Sequence, residues 1–263
     1  MPYPMLCNQR QKFLTGYIMG LLFCCLAAPV GAQQAVQASV TPTSSANTSQ
    51  SPHSATDAAP VSSQTLVAGR DYMVLTKRVP ASSDRLDIVY FFWYNSPTSA
   101  KMDPLIRDWA KNHAPALVNF KPLPAVLEQG WGYGARIFFG LVDLGKEDQV
   151  GPRLLRAIDQ GVVDYNNPKS LRDWLSDQGV SPSAFSQSIN SGKVIAQTSW
   201  MPSLMRLYAI RNVPTIIMDG QFVFAAKPKE DPKDFLSRIE LGAEALSQQK
   251  MIEMAKSREA NHR

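Results

Sequence analysis

Cysteine is nearly absent from this 263-residue chain, and the three present, Cys7, Cys24 and Cys25, all lie at the N-terminus. Histidine is as scarce. His53 and His262 sit in a low-complexity stretch and in the tail, and only His113 falls in the periodic part of the sequence. No cluster has zinc-ligand spacing, and a Ser/His/Asp triad would have to use His113. Charge of one sign is also lacking. The net charge is +5, and removing residues 1–32 takes away Arg10 and Lys12 and no acid, which leaves 5 − 2 = +3. Bases and acids interleave, as in Lys227, Lys229, Glu230, Asp231 and Lys233. That pattern describes a mixed solvated surface and excludes a nucleic-acid footprint.

Long hydrophobic runs are confined to one place. Arg10 and Lys12 precede an apolar run from Phe13 to Ala28, shorter than the roughly 20 residues of a spanning helix. Pro29-Val30-Gly31-Ala32 ends it with small residues. This predicts an export signal over 1–32, cleaved after Ala32, and an exported protein whose only membrane contact is that signal. The competing reading is an uncleaved anchor. Phe23 before Cys24, and Cys24 before Cys25, deny the small residue that a lipidation site needs. With cleavage, the exported chain has no thiol. It can neither form a disulfide nor attack one.

Residues 33–65 are rich in Ala, Gln, Ser, Thr and Pro and read as a disordered linker. The periodic sequence runs from 66 to about 250, long enough for one domain with its own core. Strands are predicted at Tyr72–Leu75 and Leu86–Tyr94. The unbroken run Ile88-Val89-Tyr90-Phe91-Phe92 implies burial on both faces. A helix follows from Pro97 towards His113, then a short strand Val118-Asn119-Phe120 that Pro122 and Pro124 should end. Residues 125–211 read as helical, with Ala135, Phe138, Phe139, Leu141 and Val142 on one side. Leu171, Trp174 and Leu175 face inward further on, and a longer helix over Val194–Ile210 is open to a break at Pro202. Thr215–Met218, Asp219-Gly220 and Gln221–Phe224 form a hairpin signal with a type I′ turn. Asp234–Leu246 closes as a helix, and 251–263 is a charged tail that either frays or extends that helix. The order β-β-α-β, helices, β-β-α implies a mixed sheet covered by helices, with a helical block inserted in the middle.

The most informative segment is Phe91-Phe92-Trp93-Tyr94-Asn95-Ser96-Pro97-Thr98-Ser99, where a strand runs through Ser-Pro-Thr-Ser into a helix. Asp103-Pro104-Leu105, Gly132-Tyr133 with Ala135 and Phe138, Gly145-Lys146-Glu147-Asp148, and Val213-Pro214-Thr215 follow in order. In this order and spacing the chain resembles the DsbA family of periplasmic disulfide oxidoreductases over nearly all of 66–250. The resemblance implies an α/β, thioredoxin-like fold in parts 66–124 and 212–250, with an inserted all-helical domain over 125–211. It also implies a cis Val213-Pro214 bond facing the active-site turn. Ser96 and Ser99 stand where the family carries its two cysteines, Thr98 where it often has histidine, and Tyr90 where many members have a buried glutamate.

The serines offer little replacement chemistry. Ser before Pro at a helix start is an ordinary cap, and a hydroxyl needs a neighbouring base to act as a nucleophile. Ser96, Pro97, Thr98 and Ser99 are therefore read as a degenerate active site. Trp93 and Tyr94 either pack in the core or flank this turn. The resemblance implies a peptide groove beside the turn, with Trp93, Thr98, Val213 and Pro214 as candidate binding residues and strand addition on Val213 as the mode. Met201, Pro202, Leu204 and Met205 either line that groove or form the inner face of their helix. The function read from this is a redox-inactive periplasmic binding module acting in envelope protein folding. Its partners would be unfolded or extended peptides or an envelope protein, and no cofactor or metal is expected. The alternatives are a structural subunit that uses the helical insert, an enzyme with new serine- or cofactor-based chemistry, and the thiol:disulfide interchange that homology alone would assign.

Overall fold

The computed structural model describes residues 65–261. The predicted export signal with its cleavage at Ala32, all three cysteines, the linker up to residue 64, His53 and His262 lie outside the described residues. Within them the strands are β1 (Met73–Val74), β2 (Leu86–Phe92), β3 (Val118–Pro124), β4 (Thr215–Met218) and β5 (Phe222–Ala225). The helices are α1 (Pro97–Asn112), α2 (Gly132–Asp143), α3 (Glu147–Asp159), α4 (Pro168–Asp177), α5 (Pro182–Ile189), α6 (Gly192–Leu207) and α7 (Pro232–Asn261), with a 3₁₀ turn at Gln129–Trp131.

The strands form one mixed sheet in the order β1-β5-β4-β2-β3. β2 lies inside it, parallel to β3 and antiparallel to β4. That position explains its unbroken apolar run, because helices cover both faces. Leu86, Ile88, Tyr90, Phe91 and Phe92 are buried, as are Ile216, Ile217 and Met218 of β4. Each such side chain stabilises the fold by about 1.5–3 kcal/mol relative to leaving it exposed. Helix α1 packs against α7 and against α3, which links the sheet to the helices inserted between β3 and β4.

Several boundaries differ from the sequence reading. β3 continues through Pro122 and Pro124 instead of ending there. It is an edge strand, and its outer side has no ladder bonds for proline to forfeit. β2 stops at Phe92, two residues early, and β1 is shorter than predicted. At the β4–β5 hairpin both Asp219 (φ 50°) and Gly220 (φ 67°) have positive φ, as a type I′ turn requires. The register pairs Met218 with Phe222, so Gln221 belongs to the loop and not to the strand. Gly220 is required twice over, because a Cβ there would also collide with the Val79 carbonyl.

In the helices, Val142 is exposed while Ala135, Phe138, Phe139 and Leu141 of the same helix are buried. Pro202 does not break α6, which runs on to Leu207 and ends with Ala209 in a left-handed conformation. Met201, Leu204 and Met205 are its buried inner face, so the packing reading of these residues is the right one. α7 extends far beyond Leu246 and absorbs most of the predicted tail. Lys250 explains part of this, since it is buried and its Nζ meets Asp219 Oδ1 at 2.6 Å, tying the helix to the hairpin. Among the described residues no helix is long and apolar enough to cross a membrane.

Candidate functional site

The turn between β2 and α1 is built by its own serines. Ser96 has extended backbone (φ −116°, ψ 110°) and is the N-cap of α1, and its Oγ accepts from the Ser99 amide at 3.2 Å. Pro97 occupies the first helical position, where its missing N–H costs nothing. Ser99 is fully buried, and its Oγ accepts from the Trp93 amide at 3.4 Å. Both hydroxyls thus serve the backbone, while Asn95, Pro97 and Thr98 form the exposed tip. Among the described residues no acid or histidine is hydrogen-bonded to Ser96. His113 follows the other end of α1, about 25 Å away by helix rise, which removes the triad reading. Ser96→Ala should cost about 1 kcal/mol of stability through the lost cap. Urea unfolding would measure this, and an unchanged midpoint would mean that the cap contributes nothing.

The second wall of the site is the loop before β4. The Val213-Pro214 bond is cis. The loop is pinned at both ends. Thr215 Oγ1 donates to the Asn212 carbonyl, Asn212 Nδ2 donates to the Ala226 carbonyl, and the Ala226 amide donates to Pro214 O. Phe91 pairs with Thr215, so the sheet register carries this loop alongside the segment that leads from β2 into α1. Between the walls lies a cleft of about 460 Å³. Thr98, Lys101 and Met102 of α1 line one side, Asn212 and Val213 another, and the segment Ala226–Pro232 closes it. Val213 is half-buried, and its N–H and C=O make no hydrogen bond among the described residues.

The predicted binding residues do not all share this cleft. Thr98 and Val213 face it together. Pro214 is buried and is not among the lining residues. Trp93 is half-buried and turns to the inserted helices. Its indole stacks on Trp131 with ring centres 3.9 Å apart and planes 4° apart, and it meets Tyr165 edge-on. Tyr94 is core. Sequence reasoning missed Lys101, which sits one turn along α1 from Thr98 and could have been found by that spacing. It also missed Lys227–Pro232, which carry no local signal and arrive only because β5 returns beside β4.

Behind the turn lies a buried ionic group. Arg107 Nε donates to Asp103 Oδ1 at 2.9 Å, and Arg107 Nη2 donates to Glu147 Oε1 at 2.9 Å. Asp103 and Glu147 are 1% and 5% exposed. Burial raises the pKa of both carboxyls, although Arg107 pulls them back. Burial opposes the charge on Arg107, but the two carboxylates outweigh it and its pKa rises. The Tyr90 and Tyr94 hydroxyls are buried, that of Tyr90 beside Asp103 and that of Tyr94 beside Glu147. Both are pushed up, first by burial and then by Asp103 for Tyr90 and by Glu147 for Tyr94. Arg107 also lies over the Phe92 ring, 5.7 Å from its centre. One guanidinium thus joins α1 to α3 directly beneath the strand that leads to Ser96.

No protein-family model matches the chain. Curated relatives do. The thiol:disulfide interchange protein DsbA of Pseudomonas aeruginosa is 30% identical over 183 residues, which is 67% of this chain and 86% of that protein. The protein of the same name from Pseudomonas syringae pv. tomato is 28% identical over 158 residues, 60% of this chain and 73% of its own length. Among solved structures, Pseudomonas aeruginosa DsbA superposes with a TM-score of 0.62 at 26% identity, covering 73% of this chain and 97% of that one. The oxidoreductase DsbA of Xylella fastidiosa has the same fold, with a TM-score of 0.63 at 22% identity over 70% of this chain and 98% of its own. The architecture is a thioredoxin-like fold carrying an all-helical insert, and with that fold and this similarity the chain belongs to the DsbA family of thiol:disulfide interchange proteins.

Proposed function

We propose that this chain is a redox-inactive, periplasmic member of its family that binds extended peptide segments in the cleft between Thr98 and Val213. Ser96 and Ser99 occupy the positions of the two sulfurs, and no cysteine follows Cys25 in the sequence. The thiol chemistry therefore has no nucleophile, while the fold that would present a peptide to it is intact. The observation that carries the reading is the unpaired backbone of Val213. A half-buried residue that lines a cleft and whose N–H and C=O have no hydrogen-bond partner among the described residues is a template for strand addition. Export by the signal over 1–32 would put the protein where unfolded envelope proteins are found.

Titrating the isotope-labelled exported chain with a short extended apolar peptide tests this reading. Shifts should appear at Thr98, Met102 and Val213, with micromolar or weaker affinity, because few contacts must offset the ordering of the peptide. A Val213-Pro214→Ala-Ala variant should bind more weakly while α2–α6 stay folded. Shifts confined to α2–α6 would overturn the reading. They would favour a second one, a fixed partner on the insert, for which Ile195, Trp200 and Leu207 speak. These three lie on the outer side of α6, each about half exposed.

A further inference from the structure

The charges around the cleft are unevenly committed. Five charged side chains line it: Lys101, Lys227, Lys229, Glu230 and Asp231. Glu230 is taken up on both oxygens. Arg238 Nε donates to Oε1 at 2.8 Å, and Arg238 Nη2 donates to Oε2 at 2.7 Å. The Lys227 amide donates to Oε2 as well. Arg238 is itself buried and also donates to the Asp71 and Ala225 carbonyls, so this brace is fixed in the core. Asp231 accepts from the Lys233 amide at 2.8 Å at the start of α7, which fixes its side chain there but leaves its negative charge at the cleft rim. Lys227 Nζ pairs with Asp71 Oδ1 at 3.3 Å. Lys101 and Lys229 remain. Neither has a hydrogen bond or ion pair among the described residues, and both are exposed.

Their placement is defined by backbone. Lys101 is on the same face of α1 as Thr98, three residues on. Lys229 is at the tip of the loop that Glu230 and Arg238 hold, with φ at 59°. The first turn of α1 carries no acid to offset the positive end of its dipole. The uncharged lining includes Met102, Val213, Ala226 and Pro228, with Thr98 and Asn212 as its polar members. In an extended strand successive side chains point to opposite faces, so one peptide can present apolar groups to this floor and another set to the lysines.

We propose that the cleft selects extended peptides in which acidic side chains alternate with apolar ones, the carboxylates meeting Lys101 and Lys229. This rests on the peptide-binding reading and adds the chemistry of the occupant. Exposed ion pairs contribute selectivity and association rate more than affinity, and salt screens them.

Three peptides of equal length, alternating Val-Glu, Val-Gln and Val-Lys, would be titrated into the labelled exported chain at low and at high salt. The acidic peptide should bind about fivefold more tightly than the neutral one at low salt, a factor that two exposed pairs can supply. The factor should shrink at high salt. Lys101→Glu with Lys229→Glu should abolish or invert the preference, read as the ratio of acidic- to neutral-peptide affinity within the variant. Equal binding of acidic and neutral peptides at Thr98 and Val213 overturns this proposal but keeps the peptide-binding reading. So does tighter binding of the basic peptide. Acidic-peptide shifts that map away from the cleft overturn the selectivity alone. Absence of shifts with all three peptides overturns both.

Discussion

Replacing Arg107 by leucine is expected to destabilise the protein by about 3–5 kcal/mol at neutral pH, because it leaves two buried carboxylates without their counter-ion. The deficit should shrink on acidification. In the intact protein Asp103 and Glu147 titrate above their ordinary values, chiefly because they are buried. Between the unfolded and the folded pKa the native state holds more protons than the unfolded chain. The stability linked to these two groups is therefore complete below the unfolded values and is lost as pH rises through the folded ones. Without Arg107 the pair loses its strongest lowering partner, Tyr90 and Arg156 acting on Asp103 alone, so the folded values climb and the loss continues to higher pH. Arg156 and Asp148 also act on the pair, on Asp103 and Glu147 respectively, and do not replace Arg107. Asp71, Asp87 and Asp143 shift down and lose stability as pH falls, so the comparison is variant against parent at each pH. Urea unfolding at pH 7 and at pH 5 would show it. A deficit equal at the two pH values, or below about 1 kcal/mol at pH 7, would mean that the buried triad is not coupled to folding in this way. Replacing all three residues by apolar ones of similar size should be close to neutral.

That triad was not legible in the sequence. Arg107 and Asp103 are one turn apart and could be paired on paper, but Glu147 is 40 residues away from Arg107. Only the packing of α1 on α3 brings it in. The Gly-Lys-Glu-Asp segment was noticed for its resemblance, and its physical role is this contact. Other parts were plain. The apolar run of β2 announced a central strand because burial on both faces leaves no room for alternation. The Asp219-Gly220 turn announced itself because few residue pairs accept two positive φ values. Ser96-Pro97 announced a helix start for reasons of capping alone. The failures share a cause. Whether Pro122 ends a strand depends on which edge of the sheet it occupies. Whether Trp93 faces the cleft or Trp131 depends on where the insert folds back. How far α7 runs depends on Lys250 finding Asp219. Each is a fact about neighbours distant in sequence, which local pattern does not encode.

Restoring both thiols should produce the second large effect. The chain without residues 1–32 should show no activity above background in insulin reduction or dithiol-peptide oxidation, because no cysteine follows Cys25. Ser96→Cys with Ser99→Cys should form an intramolecular disulfide under mild oxidant. The two positions are one helical turn apart, and the Ser96 oxygen already reaches the Ser99 amide at 3.2 Å, so the side chain at 96 is turned toward position 99, as a disulfide requires. The cost is the lost cap, about 1 kcal/mol. The thiol at position 96 would sit at the start of α1, where the helix dipole favours its thiolate. It is the more accessible of the two, since Ser99 is fully buried. Attack by an incoming thiol should therefore go to the sulfur at 96, and reduction of a substrate disulfide should become measurable. The rate should stay low, because Thr98 cannot supply the charge that a neighbouring histidine would, and the buried Tyr90 hydroxyl, with its raised pKa, is a poor proton acceptor. To keep the readout clean, Cys7, Cys24 and Cys25 must be removed by export or by substitution. Free-thiol counting by mass, before and after oxidation, gives the result. Two free thiols after oxidation would show that Ser96 and Ser99 are not the sulfur positions. Activity in the parent chain, with the three N-terminal cysteines gone, would overturn the claim that it is redox-inactive.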